Sequence, residues 1–535
     1  MANDPKILLI GLQLKHRSFK GANKALPVLA SSLNNAGFRR VTLLDMEIPG
    51  ESISRACKES EDAGLIAFAG VLSTQLPELD AFSCQLSEHI RRMGKAAPII
   101  AGGYVSKGVA DVIPDMPQLS AFFDGEGEEG IVQIARAIAV GRFEQEKAGI
   151  RGLCFLENGG GIHSSLARRV KNIDEIDQNF GLIHIPEKHD MEIFGRGGAQ
   201  RKTMQLFTQR GCAFRCSFCN KSMERQGIVR LGSESFINQL LHGRDKGFGA
   251  VYLDDDTFSL NIPAAGRVAE ELGRFGMIWG ANTRVDLLSE KDAAHFAKNG
   301  CVYMFGGVEH SKPEVVLAQN KFNGNIGRQI SQAFAFQEKI RCFFKTLQKA
   351  GIQCGYFLIL GLPKAILDPE KKGIDGYMAT TLEDDLEAIE FALGCEPDYL
   401  NLNGLRFMPG SEAADIQGHP VYSIVRPSGD EPITAGWFLP RLAKKLGYKL
   451  QQNHGIFRLM ESLDSNQPLT AVLTPERVDK TFGFAIARIN SRIDSGHKAT
   501  RLFIDEEILK QGLISIDERG RYHKAPLKEF ESLGY

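Results

Sequence analysis

Three cysteines lie close together in the segment GCAFRCSFCN, residues 211–220. Cys212, Cys216 and Cys219 have the spacing C-x3-C-x2-C. A structural zinc ion needs four ligands, usually as two separated pairs, and the sequence has no second pair. A disulfide between two of the three would leave one cysteine over. An iron–sulfur cube can be held by three thiolates, with one iron left open for chelation by amino and carboxylate groups. The spacing therefore favours a [4Fe-4S] cluster whose fourth ligand is a substrate or cofactor.

The cysteine motif and its surroundings resemble the radical S-adenosylmethionine (SAM) superfamily. The signature of that superfamily, C-x3-C-x-aromatic-C, is matched by the three cysteines together with Phe218. Segments similar to its later strand ends follow in order: Asp254–Phe258, Trp279–Arg284, Gly307–Glu309, Phe357–Pro363 and the turn Pro409–Ser411. The main departure is an insertion at residues 364–380, which we interpret as a candidate lid or substrate loop.

The resemblance implies roles for several side chains. In the superfamily the amino and carboxylate groups of SAM occupy the fourth iron, and the aromatic residue of the motif, here Phe218, packs near adenine. By position, Asp254 or Asp256 would bind the methionine ammonium group, Arg284 the carboxylate and Glu309 the ribose hydroxyls. The alternative for each is a surface acid or a strand-end salt bridge, because three adjacent aspartates rarely all serve one site.

The elements that must position the cysteine loop form two successive α/β regions. Residues 1–145 alternate apolar runs with amphipathic stretches, which predicts a Rossmann-like, doubly wound parallel sheet. Residues 201–430 continue this alternation through six units, which predicts a partial (β/α)6 barrel with functional groups at the carboxyl ends of its strands. Residues 146–200 between them are interpreted as a linker with short strands. Residues 431–535 are predicted to form a mainly helical C-terminal domain.

The predicted strands of the first region are 6–12, 41–45, 65–71, 98–103 and 121–125. Those of the barrel are 204–210, 250–254, 277–283, 301–309, 352–360 and 398–405. Each is a short apolar run bounded by turn residues, as expected for strands buried in a parallel sheet.

The first region resembles the cobalamin-binding domain that precedes many radical SAM barrels. The resemblance rests on two turns, Gly102–Ser106 and Gly125–Glu128, whose small residues let a backbone lie against a planar corrin. The candidate cobalamin contacts in these turns are Gly102, Gly103, Tyr104, Gly125, Glu126 and Gly127. The D-x-H-x-x-G motif, whose histidine ligates cobalt, is absent, and we interpret His16 as a solvated loop residue. A Rossmann-like module used only for packing or partner binding is the alternative.

Together the two resemblances imply a cobalamin-dependent radical SAM enzyme that methylates an unactivated carbon. In that class a 5′-deoxyadenosyl radical removes hydrogen from the substrate, and the substrate radical takes a methyl group from methylcobalamin. The alternatives are a cobalamin-assisted rearrangement, cyclisation or dehydrogenation, and a non-catalytic iron–sulfur sensor. The expected partners are a small-molecule or peptide substrate and an electron donor such as flavodoxin or ferredoxin.

Composition bears on which other partners the protein could have and on the cellular compartment in which we expect it. The 64 basic and 65 acidic residues give a formal net charge of -1, so no global field favours nucleic acid. No apolar run approaches the roughly 20 residues of a membrane-spanning helix. The start, MANDPKILLIG, lacks the residue order of a signal peptide, and scattered cysteines suit a reducing compartment. We therefore expect a cytoplasmic protein without a membrane partner.

Overall fold

The computed structural model describes most of the chain. The described residues are 4–12, 23–46, 50–72, 75–104, 113, 116–157, 160–165, 167, 169–175, 201, 203–219, 227–368, 370, 373–405, 448–453, 456–462, 475–497, 500–502, 512 and 514–526. His16, the turn Pro409–Ser411 and the side chain of Tyr104 lie outside this part, so the predictions made for them stay predictions.

The first domain is built on a sheet with the strand order β2-β1-β3-β4-β5-β6-β7. Its strands are β1 (Lys6–Gly11), β2 (Val41–Asp45), β3 (Ala63–Leu72), β4 (Ile99–Tyr104), β5 (Ala121–Phe123), β6 (Leu153–Leu156) and β7 (Ile162–Ser164). Strands β1 to β5 are parallel, which confirms the predicted doubly wound arrangement. Strands β6 and β7 lie in the predicted linker and add an antiparallel edge to the same sheet.

Helices pack against both faces of this sheet. They are Ala25–Asn35, Ile53–Ser60, Leu76–Arg92, Glu128–Ala139 and Phe143–Glu146. Alternate residues of β1 enter two separate cores, because successive side chains of a strand point to opposite faces. Leu9 packs in one core with Leu26, and Ile10 packs in the other with Leu79. The strand is therefore apolar throughout, which made it visible in the sequence.

The second region continues the alternation of strands and helices. Its strands are β8 (Thr203–Leu206), β9 (Gln209–Arg210), β10 (Val229–Arg230), β11 (Ala250–Leu253), β12 (Ile278–Arg284), β13 (Cys301–Glu309), β14 (Gln353–Leu360), β15 (Pro363–Asp368), β16 (Gly373–Ala379) and β17 (Tyr399–Gly404). Its helices are Ser233–Asp245, Ile262–Arg274, Glu290–Lys298, Pro313–Ala318, Ile326–Phe334, Phe336–Lys349 and Leu382–Gly394.

The described part of the C-terminal region combines strands with one long helix, Pro475–Asp494. The strands are β18 (Tyr448–Asn453), β19 (Ile456–Ser462), β20 (Arg501–Leu502), β21 (Ile514–Ile516) and β22 (Tyr522–Lys524). Beside this helix, β18–β19 and β21–β22 pair as antiparallel hairpins, and the mainly helical character of residues 431–535 as a whole stays a prediction. None of the helices that the structure describes is long and apolar enough to cross a membrane.

The barrel strands form a second sheet in the order β8-β11-β12-β13-β14-β17-β20. All of these pairs are parallel, as predicted for a partial barrel. The six predicted strands are confirmed, except that the first divides into β8 and the short β9. Strand β20 extends the sheet beyond β17, so the C-terminal region contributes to the barrel itself. The carboxyl ends of the strands consequently lie along one edge, where the candidate site is found.

The insertion at 364–380 is mostly a β-hairpin, in which β15 pairs antiparallel with β16. Asp384 anchors it, because its carboxylate accepts hydrogen bonds from Lys364 at 2.9 Å and from Lys312 at 2.6 Å. The same carboxylate accepts from the backbone N–H of Thr381 at 2.7 Å and so caps the following helix. Burial opposes ionisation of Asp384, but its two lysine partners outweigh burial and hold its pKa well below its ordinary value.

Candidate cofactor site

The cysteine loop leaves β9 at Gly211 and is fastened to the segment that follows helix Pro313–Ala318. The backbone N–H of Ser217 donates to the carbonyl oxygen of Gln319 at 2.8 Å. The side-chain amides of Asn320 and Asn323 donate to carbonyl oxygens within the loop, at 3.2 and 3.1 Å. These bonds give the polar backbone of a loop without regular structure the partners it needs. They also fix the loop above the end of β13.

Gly211 sets the direction in which the loop leaves the sheet. Its φ of 96° lies in the left-handed region, and a Cβ here would lie 2.5 Å from the carbonyl oxygen of Gly227. Its N–H donates to Oδ2 of Asp256 at 2.9 Å. Only glycine fits this position without displacing the strand that returns after the loop.

The environment of the cysteines combines burial with nearby positive charge. Burial raises the pKa of the Cys216 thiol to about 12, while the Lys321 and Arg284 side chains act in the opposite direction. The Sγ of Cys212 lies 3.6 Å from the hydroxyl oxygen of Thr257. No three His, Cys, Asp or Glu side chains of the described part converge on a single metal ion. A cube does not need such convergence, because each of its thiolates binds a different iron atom.

The three adjacent aspartates after β11 have three different environments. Asp255 is buried and accepts hydrogen bonds from the Thr208 N–H, the Thr208 hydroxyl and the Gln209 N–H, at 2.6, 2.6 and 3.0 Å. It therefore holds the corner between β8 and β9, and burial raises its pKa to about 6. Asp256 accepts the Gly211 N–H described above. Asp254 forms an ion pair with Lys24 of the first domain, 230 residues away in the sequence.

Arg284 ends β12 and is held in place by protein groups. Its guanidinium donates two parallel hydrogen bonds to Asp286, both of 2.9 Å, and lies 3.7 Å from the centre of the Phe214 ring in the cysteine loop. The sequence predicts that Arg284 binds the carboxylate group of SAM, but it did not predict that Asp286 pairs with the same guanidinium. Arg284 and Asp286 are both nearly buried, so their charges are weakly screened.

Glu309 ends β13 with a φ of 64°, a left-handed conformation that is uncommon for a residue other than glycine. Its carboxylate forms an ion pair with Lys321, whose side chain is 2% exposed. The Lys321 ammonium also donates to the carbonyl oxygen of Gly307 at 2.9 Å. Sequence reasoning missed Lys321. The signal that could have identified it is a lone lysine three residues after the apolar run VVLA, directly before Phe322.

Phe218 lies between the second and third cysteines of the motif and packs against an apolar group. This group consists of Val315 from helix Pro313–Ala318 and of Leu362 and Leu405, which follow β14 and β17. The aromatic side chain and the residues that follow β14 are thereby brought together, although they are far apart in the sequence. The contact places a buried apolar group beside the third cysteine of the motif.

A cavity of about 410 Å³ lies between the two domains. Its volume is within the range of small-molecule and cofactor sites. The predicted cobalamin contacts Gly102, Gly103, Gly125, Glu126 and Gly127 all line it. The barrel contributes residues from the ends of β8, β9 and β11, among them Gln205, Arg210, Gly211, Asp254 and Asp256.

Two glycines that line this cavity are required by the packing of the protein itself, whether or not a ligand binds there. A Cβ on Gly103 would lie 2.2 Å from the carbonyl oxygen of Val71 on the neighbouring strand. A Cβ on Gly125, whose φ is 110°, would lie 2.8 Å from the Cβ of Ala167. Packing of the sheet therefore already requires glycine at both positions. Glu126 lines the cavity, but its carboxylate accepts the Val170 N–H at 2.6 Å.

Comparison with solved structures identifies the fold. The chain has the fold of solved radical SAM enzymes that bind or depend on cobalamin. One such structure is the radical SAM methyltransferase TsrM from Kitasatospora setae with tryptophan and a SAM analogue bound, which has a TM-score of 0.61 and 19% identity over 90% of this chain and 89% of TsrM. Another is the cobalamin-dependent SAM radical enzyme OxsB, with a TM-score of 0.58 and 16% identity over 92% of this chain and 68% of OxsB.

Sequence relatives match the chain only in part, and no family model matches it. An uncharacterized methyltransferase from Pyrococcus horikoshii is 26% identical over 332 residues, which are 61% of this chain and 66% of the relative. An anaerobic magnesium-protoporphyrin IX monomethyl ester cyclase from Cereibacter sphaeroides is 26% identical over 243 residues, 42% of this chain and 38% of the relative. The chain thus spans less than two thirds of the length of either relative.

Proposed function

We propose that the chain is a cobalamin-dependent radical SAM enzyme that methylates an unactivated carbon of a small-molecule or peptide substrate. The observation that carries the proposal is the position of the cysteine loop. Its first residue, Gly211, and the preceding Arg210 of β9 form part of the wall of the cavity between the two sheets. A cluster on the loop and a cofactor in the cavity would therefore lie side by side at the carboxyl ends of the strands.

The residues around the loop suit a [4Fe-4S] cluster held by Cys212, Cys216 and Cys219. Iron binds the thiolate, and the Arg284 and Lys321 charges favour the thiolate of Cys216 against the effect of burial. Three thiolates leave one iron for SAM, for which Asp256, Arg284 and Glu309 remain candidate contacts, with Phe218 near the adenine. Asp254 is a less favourable candidate, because its carboxylate pairs with Lys24 of the first domain, whereas Asp256 contacts Gly211 at the base of the cysteine loop.

When bound, the cluster, SAM and cobalamin supply reductive cleavage of one SAM and methyl transfer from a second. The contribution of the chain is to position and shield them. Hydrogen bonds donated by the backbone N–H groups of Ser217 and Gly211 hold the loop, and Phe218 packs against an apolar group beside it. Each methyl transfer consumes two SAM molecules and two electrons. An external reductant, such as flavodoxin or ferredoxin, must supply those electrons.

The test is to reconstitute the cluster without oxygen and incubate the protein with cobalamin, dithionite and SAM. We expect S-adenosylhomocysteine from methylation of cobalamin and 5′-deoxyadenosine from SAM cleavage, and no 5′-deoxyadenosine from Cys216→Ala. If neither product forms with the unaltered chain, the enzyme proposal is wrong. The partial match to a cyclase favours a second candidate, a cobalamin-assisted cyclisation or rearrangement. That candidate predicts 5′-deoxyadenosine without S-adenosylhomocysteine.

A further inference from the structure

Four charged side chains meet where the first domain touches the base of the cysteine loop. Arg210 lies with its guanidinium 2.5 Å from the Glu128 carboxylate and 3.6 Å from the Glu126 carboxylate, and Arg169 lies 3.7 Å from Glu126. We call these residues the charge quartet. None of the four side chains is more than 20% exposed, so their attraction is screened less than that of a surface pair.

The two arginines of the quartet hold segments on either side of the cysteine loop. Arg210 is the last residue of β9 and precedes Gly211 and Cys212 directly. Its side chain also packs over the Phe207 ring, with a distance of 4.4 Å to the ring centre. Arg169 donates a hydrogen bond to the carbonyl oxygen of Gly227, two residues before β10. The strand that enters the cysteine loop, β9, and the residues that lead into β10 are therefore attached to the same charged group.

The two glutamates fasten the quartet to the first domain. Glu126 accepts the Val170 N–H through one carboxylate oxygen and faces both arginines with the other. Glu128 lies in the first turn of helix Glu128–Ala139, where the helix dipole favours a negative charge. Glu126, Glu128, Arg169 and Arg210 all line the cavity between the domains. The charge quartet thus forms part of the cavity wall and also holds the cysteine loop in place, and we call this second role the clamp.

We propose that Glu126 and Arg210 are positioning residues that fix the cysteine loop to the cofactor cavity. The identity of the bound cluster rests on the proposed function, but the clamp is a property of the chain alone. This inference replaces the expectation that Glu126 serves as a cobalamin contact. It also gives the Gly125–Gly127 turn a role in placing one cofactor relative to the other.

The first experiment measures hydrogen–deuterium exchange of the cofactor-free chain in peptides covering residues 209–219 and 227–231. Glu126→Gln keeps the size of the side chain and removes its charge. We expect exchange in these peptides to become about fivefold faster, because the variant loses the ion pairs of Glu126 with both Arg210 and Arg169. Glu129→Gln is the matched control, because Glu129 is exposed in the same turn and contributes nothing to the quartet. Equal exchange in the two variants overturns the proposal.

A second variant and a cofactor measurement separate the clamp from a cofactor contact. Arg210→Lys, which keeps the charge but not the forked contacts, should also accelerate exchange if the clamp exists. In reconstituted protein, Glu126→Gln should release iron to a chelator about fivefold faster and bind cobalamin within about twofold of the control. Cobalamin binding that is about tenfold weaker, with unchanged exchange, would instead make Glu126 a cofactor contact. Failure of the unaltered chain to assemble a cluster refutes the proposed function, and the exchange result still decides the clamp.

Discussion

The buried ion pair between Lys321 and Glu309 gives the sharpest prediction about stability. Lys321→Met keeps the length of the side chain but removes its charge, which leaves the Glu309 carboxylate and the Gly307 carbonyl without their ammonium partner. Removal of one member of a buried pair typically costs about 3–5 kcal/mol. The Glu309 side chain is 13% exposed, and water can reach it in part. We therefore expect a loss of about 2–4 kcal/mol in the free energy of unfolding.

The assay is urea denaturation of the cofactor-free chain at pH 7, followed by tryptophan fluorescence, since Trp279 is buried in the barrel. Glu309→Gln combined with Lys321→Met removes both charges and should recover about half of the loss. Lys349→Met is the control, because Lys349 pairs with Glu290 at the surface, and its unfolding midpoint should not change. The reasoning fails if Lys321→Met and Lys349→Met have the same midpoint, or if the double variant is the least stable.

Three further predictions concern the hairpin anchor, the loop and the cluster. Asp384→Asn should destabilise the chain at pH 7. The difference from the unaltered chain should shrink as pH falls from about 4 toward the lowered pKa of the folded state, because the ionised carboxylate contributes its full stabilisation only above the unfolded pKa. A difference that is constant with pH in urea titrations contradicts this. Gly211→Ala should cost about 1–3 kcal/mol more than Gly276→Ala, whose added Cβ meets no atom, and equal midpoints would refute the clash. Cys216→Ala should lose most of the iron after reconstitution and the exposed Cys84→Ser none, as measured by iron and sulfide analysis; retention by both excludes the cysteine site.

The sequence predicts the strands and the cysteine loop because both are local patterns. A strand buried in a parallel sheet is a continuous apolar run, and β13 is found with the predicted bounds of 301–309. The C-terminal hairpins β18–β19 and β21–β22 are short and lack such runs, and helical periodicity in the neighbouring sequence concealed them.

The partners of the charged residues could not be predicted in the same way. Asp254 pairs with Lys24 across 230 residues, and Glu126 meets Arg210 from another domain. No local pattern encodes such pairs, because they depend on how the two sheets are placed against each other. The role of Lys321 follows from its burial, which only the fold reveals.

The central claim is that the cysteine loop holds a cluster whose open iron binds SAM. The most direct measurement is the electron paramagnetic resonance spectrum of the reconstituted, dithionite-reduced protein with and without SAM. Binding of SAM to the open iron predicts a clear change in the g values of the cluster signal. The change should be absent from Cys216→Ala, which lacks one of the three thiolates. A cluster signal that SAM leaves unaltered would contradict the account, because the fourth position would then belong to another ligand.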